Sequence, residues 1–131
     1  MKKCGILNRD ISEIVAGMGH TDMLVVCDAG LPIPSNARRV DLALSENNPR
    51  FADVLRVILR ELFVEKVIAE QETETQNPAV YQEIMEVFPD TPVEKIPHGE
   101  FKKMLGQVKA IIRTGEFTPY ANVILVGGVV Y

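Results

Sequence analysis

Apolar positions in this chain fall into short continuous runs and helically spaced stripes that alternate along its length. Ile11, Ile14, Val15 and Met18 recur at helical spacing, with Asn8 or Asp10 ahead of them as a candidate cap. Gly17 and Gly19 predict the helix end, because glycine tolerates the left-handed backbone that a helix exit often adopts. Met23 to Cys27 is a continuous apolar run and predicts a buried strand, closed by Asp28-Ala29-Gly30. Leu31-Pro32-Ile33-Pro34 cannot be helical, since each proline holds its predecessor extended.

Further on, Val40, Leu42 and Leu44 alternate with polar or small neighbours and predict a strand over 39–44. Asn48 as cap and Pro49 at the first helical position predict the next helix, whose stripe is Phe51, Val54, Leu55, Ile58, Leu59 and Leu62. A third strand is predicted over 64–69. Asn77-Pro78 repeats the cap-plus-proline signal ahead of Tyr81, Ile84, Met85 and Phe88, before Pro89 and Pro92 break the chain. Val93 to Ile96 predicts a fourth strand, and Phe101, Met104 and Leu105 face one side of a short helix. Residues 110–112 and 121–126 predict two more strands around a loop rich in Thr, Gly, Glu and Pro. Helices separated by short apolar strands imply an α/β fold in three layers, a largely parallel sheet covered on both faces.

Composition narrows the function. With 131 residues, 47% of them apolar and 24% charged, the chain is expected to form one domain, residues 1–131, with a core of its own. A net charge of −4, no tryptophan and 6% aromatics argue against a nucleic-acid surface. No apolar stretch reaches the ~20 residues of a membrane helix, and no signal segment is visible. Cys4 and Cys27 are too few for a disulfide framework and lack zinc-ligand spacing. A cytoplasmic setting is therefore expected.

Few residues can carry chemistry. His20 follows Gly19 at a helix exit, and His98 follows Pro97 at a helix start. Each is a candidate proton carrier, although His20 also suits a helix C-terminal cation and His98 a surface loop. Asp28 stands just past a strand's carboxyl end, where open α/β sheets bind ligands; an Asx turn is an equal reading of the same position. The segment Arg113 to Asn122 is dense in hydrogen-bonding groups and is either a binding loop or a self-contained turn with Arg113 and Glu116 as a solvated pair. Glu70, Glu72 and Glu74 read as a solvated acidic face. Cys27 lies inside an apolar run and reads as packing. Gly17-Met18-Gly19 precedes a strand and lacks a third glycine, so the dinucleotide fingerprint fails; Walker lysine and nucleophile elbow are absent too. The remaining imidazoles, carboxylate, phenol and amide suit a small polyol or sugar and an undemanding proton transfer.

Three separated motifs then resemble one family. Gly19-His20-Thr21-Asp22, Asp28-Ala29-Gly30-Leu31-Pro32-Ile33-Pro34, and Arg113-Thr114-Gly115-Glu116 leading to Pro119-Tyr120-Ala121-Asn122 are similar to the ribose pyranase and fucose mutarotase superfamily. Around Thr21 and Gly30-Leu31-Pro32 the chain is closer to the ribose branch. The resemblance implies a Rossmann-like fold without a dinucleotide, no cofactor and no metal. It implies interconversion of the pyranose and furanose forms of ribose, supplying the furanose to a ribokinase. His20 is then the catalytic acid/base; Asp28, His98, Tyr120 and Asn122 bind the sugar, with Lys102 as a further contact. It also implies a homo-oligomer, a decamer with sites at subunit contacts, and the apolar Val129-Val130-Tyr131 agrees with burial between chains. Two alternatives stand beside it: fucose or general aldose mutarotation, and a sugar-binding subunit without catalysis.

Overall fold

Five of the six strands run the same way, and the sixth alone is reversed. A computed structural model describes residues 1–131. The strands are β1 (Met23–Cys27), β2 (Arg39–Asp41), β3 (Val64–Glu70), β4 (Val93–Ile96), β5 (Ala110–Arg113) and β6 (Val123–Gly127), in the sheet order β2-β5-β1-β6-β3-β4. The helices are α1 (Arg9–Gly17), α2 (Phe51–Ile58), α3 (Gln71–Gln76), α4 (Pro78–Val87) and α5 (His98–Met104), with a 3₁₀ turn at Leu105–Gln107. The largely parallel α/β sheet is thus as expected, with β6 antiparallel to both β1 and β3.

Strand alternation divides the core in two. On β1, Leu24 and Val26 face the larger layer, built with Ile11 and Ile14 of α1, the stripe of α2, and Val80 and Ile84 of α4. Val25 and Cys27 face the other side, against Leu31, Phe101 and Leu105. Both faces are covered, which is why the central strands read as unbroken apolar runs. No helix is long and apolar enough to cross a membrane.

Four local expectations change. The strand over 39–44 stops at Asp41, whose Oδ1 accepts from Ala43 N at 3.1 Å and turns the chain outward, leaving Leu44 exposed. Asn48 does not cap α2. It belongs to a tight turn in which Asn48 N donates to Ser45 O at 3.0 Å, and α2 begins at Phe51 with Arg50 in the cap position. The capping acceptor comes from far along the chain, as Glu116 Oε2 accepts from Phe51 N at 3.2 Å. At the exit of α1 the left-handed residue is Thr21, at φ 68°, instead of a glycine. Finally, α3 forms from the polar run Gln71–Gln76, in which only Thr73 is buried, so it carries no stripe to read.

Asn8 and Asn77 cap as expected, accepting from Ile11 N at 3.0 Å and Val80 N at 3.4 Å. Asn8 is exposed, whereas buried Asn77 also donates to Thr118 Oγ1 at 2.9 Å and Pro119 O at 2.7 Å. An N-cap is worth about 1 kcal/mol, and each buried hydrogen bond adds about the same. Asn77→Ala is expected to cost about 2–3 kcal/mol and Asn8→Ala about 0.5–1 kcal/mol in urea unfolding at matched protein concentration. Equal losses would show that the loop contacts of Asn77 contribute nothing.

Candidate active site

Every parallel strand ends at one edge of the sheet, and there the chain leaves an open cleft of about 550 Å³. Asp28 follows β1, Arg113 ends β5 with Glu116 just after it, and His98 comes two residues beyond β4. Because β6 runs backwards, its start lies at this same edge, and that brings Tyr120 and Asn122 to the cleft. Crevices at the carboxyl ends of strands are where open α/β sheets place ligands.

The carboxylate of Asp28 is nearly enclosed, with 7% of the residue exposed. Its Oδ1 accepts from Gly30 N at 2.9 Å, which is the expected Asx turn, and its Oδ2 accepts from Ala121 N at 3.3 Å. The turn and the cleft position therefore coexist. Burial pushes the Asp28 carboxyl above the ordinary carboxylate range, against the pull of those backbone donors. Burial, with Asp28 beside it, pushes the Cys27 thiol up to about 12, so Cys27 is an inert packing group as expected.

Asn122, 1% exposed, ties the strand ends together. Its Oδ1 accepts from Asp28 N at 2.9 Å, while its Nδ2 donates to both oxygens of Glu70 at 3.3 and 3.2 Å. Glu70 ends β3 fully buried and lies 2.6 Å from His98 Nδ1. Burial pushes the Glu70 carboxyl up, with His98 and then Asn122 opposing it. The His98 ring stands edge-on to Tyr120, with centroids 5.4 Å apart and planes at 89°. Tyr120 sits at φ 57°, held by Thr73 Oγ1 donating to its carbonyl at 2.8 Å.

Opposite, the loop after β5 forms the wall. Gly115 is required there, since a Cβ would lie 2.6 Å from the carbonyl oxygen of Asn48. Arg113 and Glu116 are not a solvated pair. Arg113 Nη1 donates to both oxygens of Asp41 at 3.1 Å, and Glu116, 3% exposed, takes Arg50 at 3.4 Å and Thr118 Oγ1 at 2.8 Å.

Of the expected site residues, Asp28, His98, Tyr120 and Asn122 line this one cleft. His20 and Lys102 do not. His20 precedes β1, so the length of that strand, about 16 Å at ~3.3 Å per residue, separates it from Asp28. There it is half exposed and pairs with Glu65 Oε2 at 3.0 Å. Lys102 lies one turn beyond His98 on α5, exposed and outside the lining. Reasoning from sequence missed Glu70. The acidic stretch is no solvated face: Glu70 is buried, Glu72 accepts from His98 N at 3.2 and 3.0 Å, and only Glu74 points outward, to Lys95 at 2.6 Å. The available signal was the place of Glu70 at the end of an apolar strand, the same place as Asp28.

Comparisons with known proteins agree with one another over the whole chain. The model of the RbsD / FucU transport protein family matches residues 1–130. D-ribose pyranase of Geobacillus thermodenitrificans (strain NG80-2) is 50% identical over 129 residues, covering 98% of both chains. D-ribose pyranase of Clostridium perfringens (strain 13 / Type A) is 50% identical over 131 residues and 100% of both. The solved structure of Bacillus subtilis RbsD complexed with D-ribose is similar at a TM-score of 0.97 and 45% identity, covering 100% of both chains. A fucose mutarotase from Streptococcus pneumoniae, in complex with L-fucose, shares the fold at a TM-score of 0.80 and 23% identity, covering 95% of both chains. On a match that spans all but its last residue, and on relatives half identical from end to end, the chain belongs to the RbsD / FucU family.

Proposed function

We propose that this chain is an isomerase that interconverts the pyranose and furanose forms of D-ribose. The carrying observation is a polar cleft lined by Asp28, His98, Tyr120 and Asn122, in a chain 50% identical over its full length to D-ribose pyranases. The relative with a TM-score of 0.97 is a complex with D-ribose.

The reaction needs two proton transfers and a turn of the sugar. A base takes the proton of the anomeric hydroxyl, and its electrons form the aldehyde carbonyl. The bond from the anomeric carbon to the ring oxygen breaks, its electron pair staying on that oxygen, and an acid protonates it. The open aldehyde rotates until a different hydroxyl attacks the carbonyl carbon, and acid and base exchange roles as the new ring closes. A positioned imidazole is suited to such transfers near neutral pH, and help of this kind is worth ~10²–10⁴-fold.

In this reading Asp28, His98 and Tyr120 hold hydroxyls of the sugar, and Asn122 fixes the carboxyls around it. A site built of polar groups rejects ligands that leave them unpaired. His20 is the acid/base implied by the resemblance, and Lys102 a further sugar contact. Since both stand outside this chain's own cleft, a second copy must supply His20. That reading entails a homo-oligomer, in its full form a decamer. The exposed apolar Val130 and Tyr131 agree with burial between chains. The setting is the cytoplasm, where a kinase consumes the furanose.

Saturation-transfer NMR on D-ribose with catalytic amounts of protein is expected to show accelerated pyranose–furanose exchange. Unchanged exchange would sink the assignment, and acceleration of L-fucose alone would move it to mutarotation. Asp28→Asn and His98→Ala are each expected to lower the exchange rate about 10²-fold or more. His20→Ala should do the same while costing little stability, its side chain being 54% exposed.

The shared site has its own test. Mixed and reassembled from dissociated chains, inactive His20→Ala and inactive Asp28→Asn should regenerate activity. A fully active monomer in sedimentation would exclude a site shared between copies, and a stable oligomer without complementation would keep the assembly and discard the sharing.

A further inference from the structure

Glu70 is a carboxyl fully enclosed behind His98 and Asn122 of the cleft lining, and no role described so far requires it. His98 and Asn122 close over its carboxyl, with Asp28 near enough to act on it. Oε1 takes His98 Nδ1 at 2.6 Å, and Asn122 Nδ2 reaches both carboxylate oxygens, at 3.3 and 3.2 Å. The amide of Asn122 cannot turn over, because its oxygen satisfies the buried Asp28 N–H at 2.9 Å. A carboxyl whose two oxygens already take the fixed amide N–H of Asn122 is held as an acceptor, and an acceptor at Nδ1 dictates where the imidazole keeps its proton.

We infer that Glu70 is the positioning residue of this site: it locks the His98 ring with its proton on Nδ1, so that Nε2 is left unprotonated to take a hydroxyl proton from the sugar. This rests on the ring-interconversion reading and extends it, giving the chain's own cleft a proton acceptor distinct from His20. The rest of the ring is fixed as well. Glu72 accepts from the His98 backbone N, and Tyr120 packs edge-on against the imidazole. Rotation about the side chain is thereby limited, and the proton acceptor is aimed before the sugar arrives. The same device, a buried carboxylate on the far nitrogen of a reacting imidazole, orients the histidine of a serine-hydrolase triad.

The experiment is ¹⁵N NMR of the imidazole nitrogens in the full-length protein, which has only two histidines; a His20→Gln sample assigns the pair. Wild-type His98 at neutral pH is expected in the Nδ1–H form, the reverse of the form that predominates in free histidine. Glu70→Gln keeps an oxygen in place and should keep that form. Glu70→Leu removes the acceptor and should move the proton to Nε2. In ribose exchange, Glu70→Leu should lower kcat about 10²-fold or more with little change in KM, and Glu70→Gln should retain more of the rate than Leu does.

A wild-type His98 with its proton on Nε2 overturns the inference without any variant, as does a folded Glu70→Leu with unchanged nitrogen shifts and unchanged kcat. A wild-type chain that shows the Nδ1–H pattern but leaves ribose exchange unaccelerated supports the pairing and removes the reaction.

Discussion

The amide of Asn122 sits where β1, β3 and β6 meet, and the cleft exists in its present form because that amide has one orientation open to it. A buried backbone N–H at Asp28 demands an acceptor, so the oxygen faces β1 and the nitrogen faces Glu70 on β3. From that choice the rest follows. The Glu70 carboxylate receives donors on both sides, His98 is drawn to its free flank, and Tyr120 is left to pack against the imidazole. A substitution at Asn122 would therefore strand two polar groups at once, and an unpaired buried donor or acceptor costs about 1–3 kcal/mol. Its loss would look like a binding defect while being a loss of geometry.

Reversal of β6 has consequences at both ends of the sheet. Were β6 parallel, residues 120–122 would lie beside Thr21, and the strand's far end would lie at the cleft. As built, Gly127 O accepts from Thr21 N at 2.8 Å at the edge that carries His20, while Asn122 serves the other edge. The two imidazoles of the chain are thus held at opposite edges, each with a carboxylate partner, Glu65 for His20 and Glu70 for His98. A chemistry that used both would have to bring two copies edge to edge.

Periodicity made most of the fold legible, and contacts distant in sequence account for what it missed. Met23 to Cys27 was readable to the residue, because a strand buried on both faces is apolar throughout and bounded by polar turns. Val93 to Ile96, an edge strand with Glu94 and Lys95 exposed, was readable from the prolines that bracket it. The start of α2 was not readable. Asn48-Pro49 carries a strong local signal, yet the acceptor that starts the helix is Glu116, 65 positions downstream of Phe51. Polar α3 has no stripe to detect, being held by Thr73 and by Glu72 against the His98 backbone. The same limit governs the site. Asp28 was visible from its place after a strand, whereas Glu70 was hidden in an alternating run of glutamates, of which Glu74 alone points outward.

Keeping two carboxyls enclosed has a thermodynamic signature. Burial raises both Asp28 and Glu70 above their ordinary range, so each holds its proton more tightly in the folded chain than in the unfolded one. Between the unfolded value, near ~4, and the raised folded value, the native state binds more protons. These groups therefore contribute stability that is complete below the unfolded value and is lost as pH rises through the folded one. Mild acid relieves this part of the molecule instead of threatening it. Above that window the two enclosed carboxyls are a standing cost, offset by the unbroken apolar strands on both faces of the sheet and by contacts from Gly30, Ala121, Asn122 and His98. A fold seeking stability alone would neutralise both positions. That it keeps two desolvated carboxyls, one at the mouth of a polar cleft and one beneath its imidazole, is what a site for moving protons between hydroxyls requires.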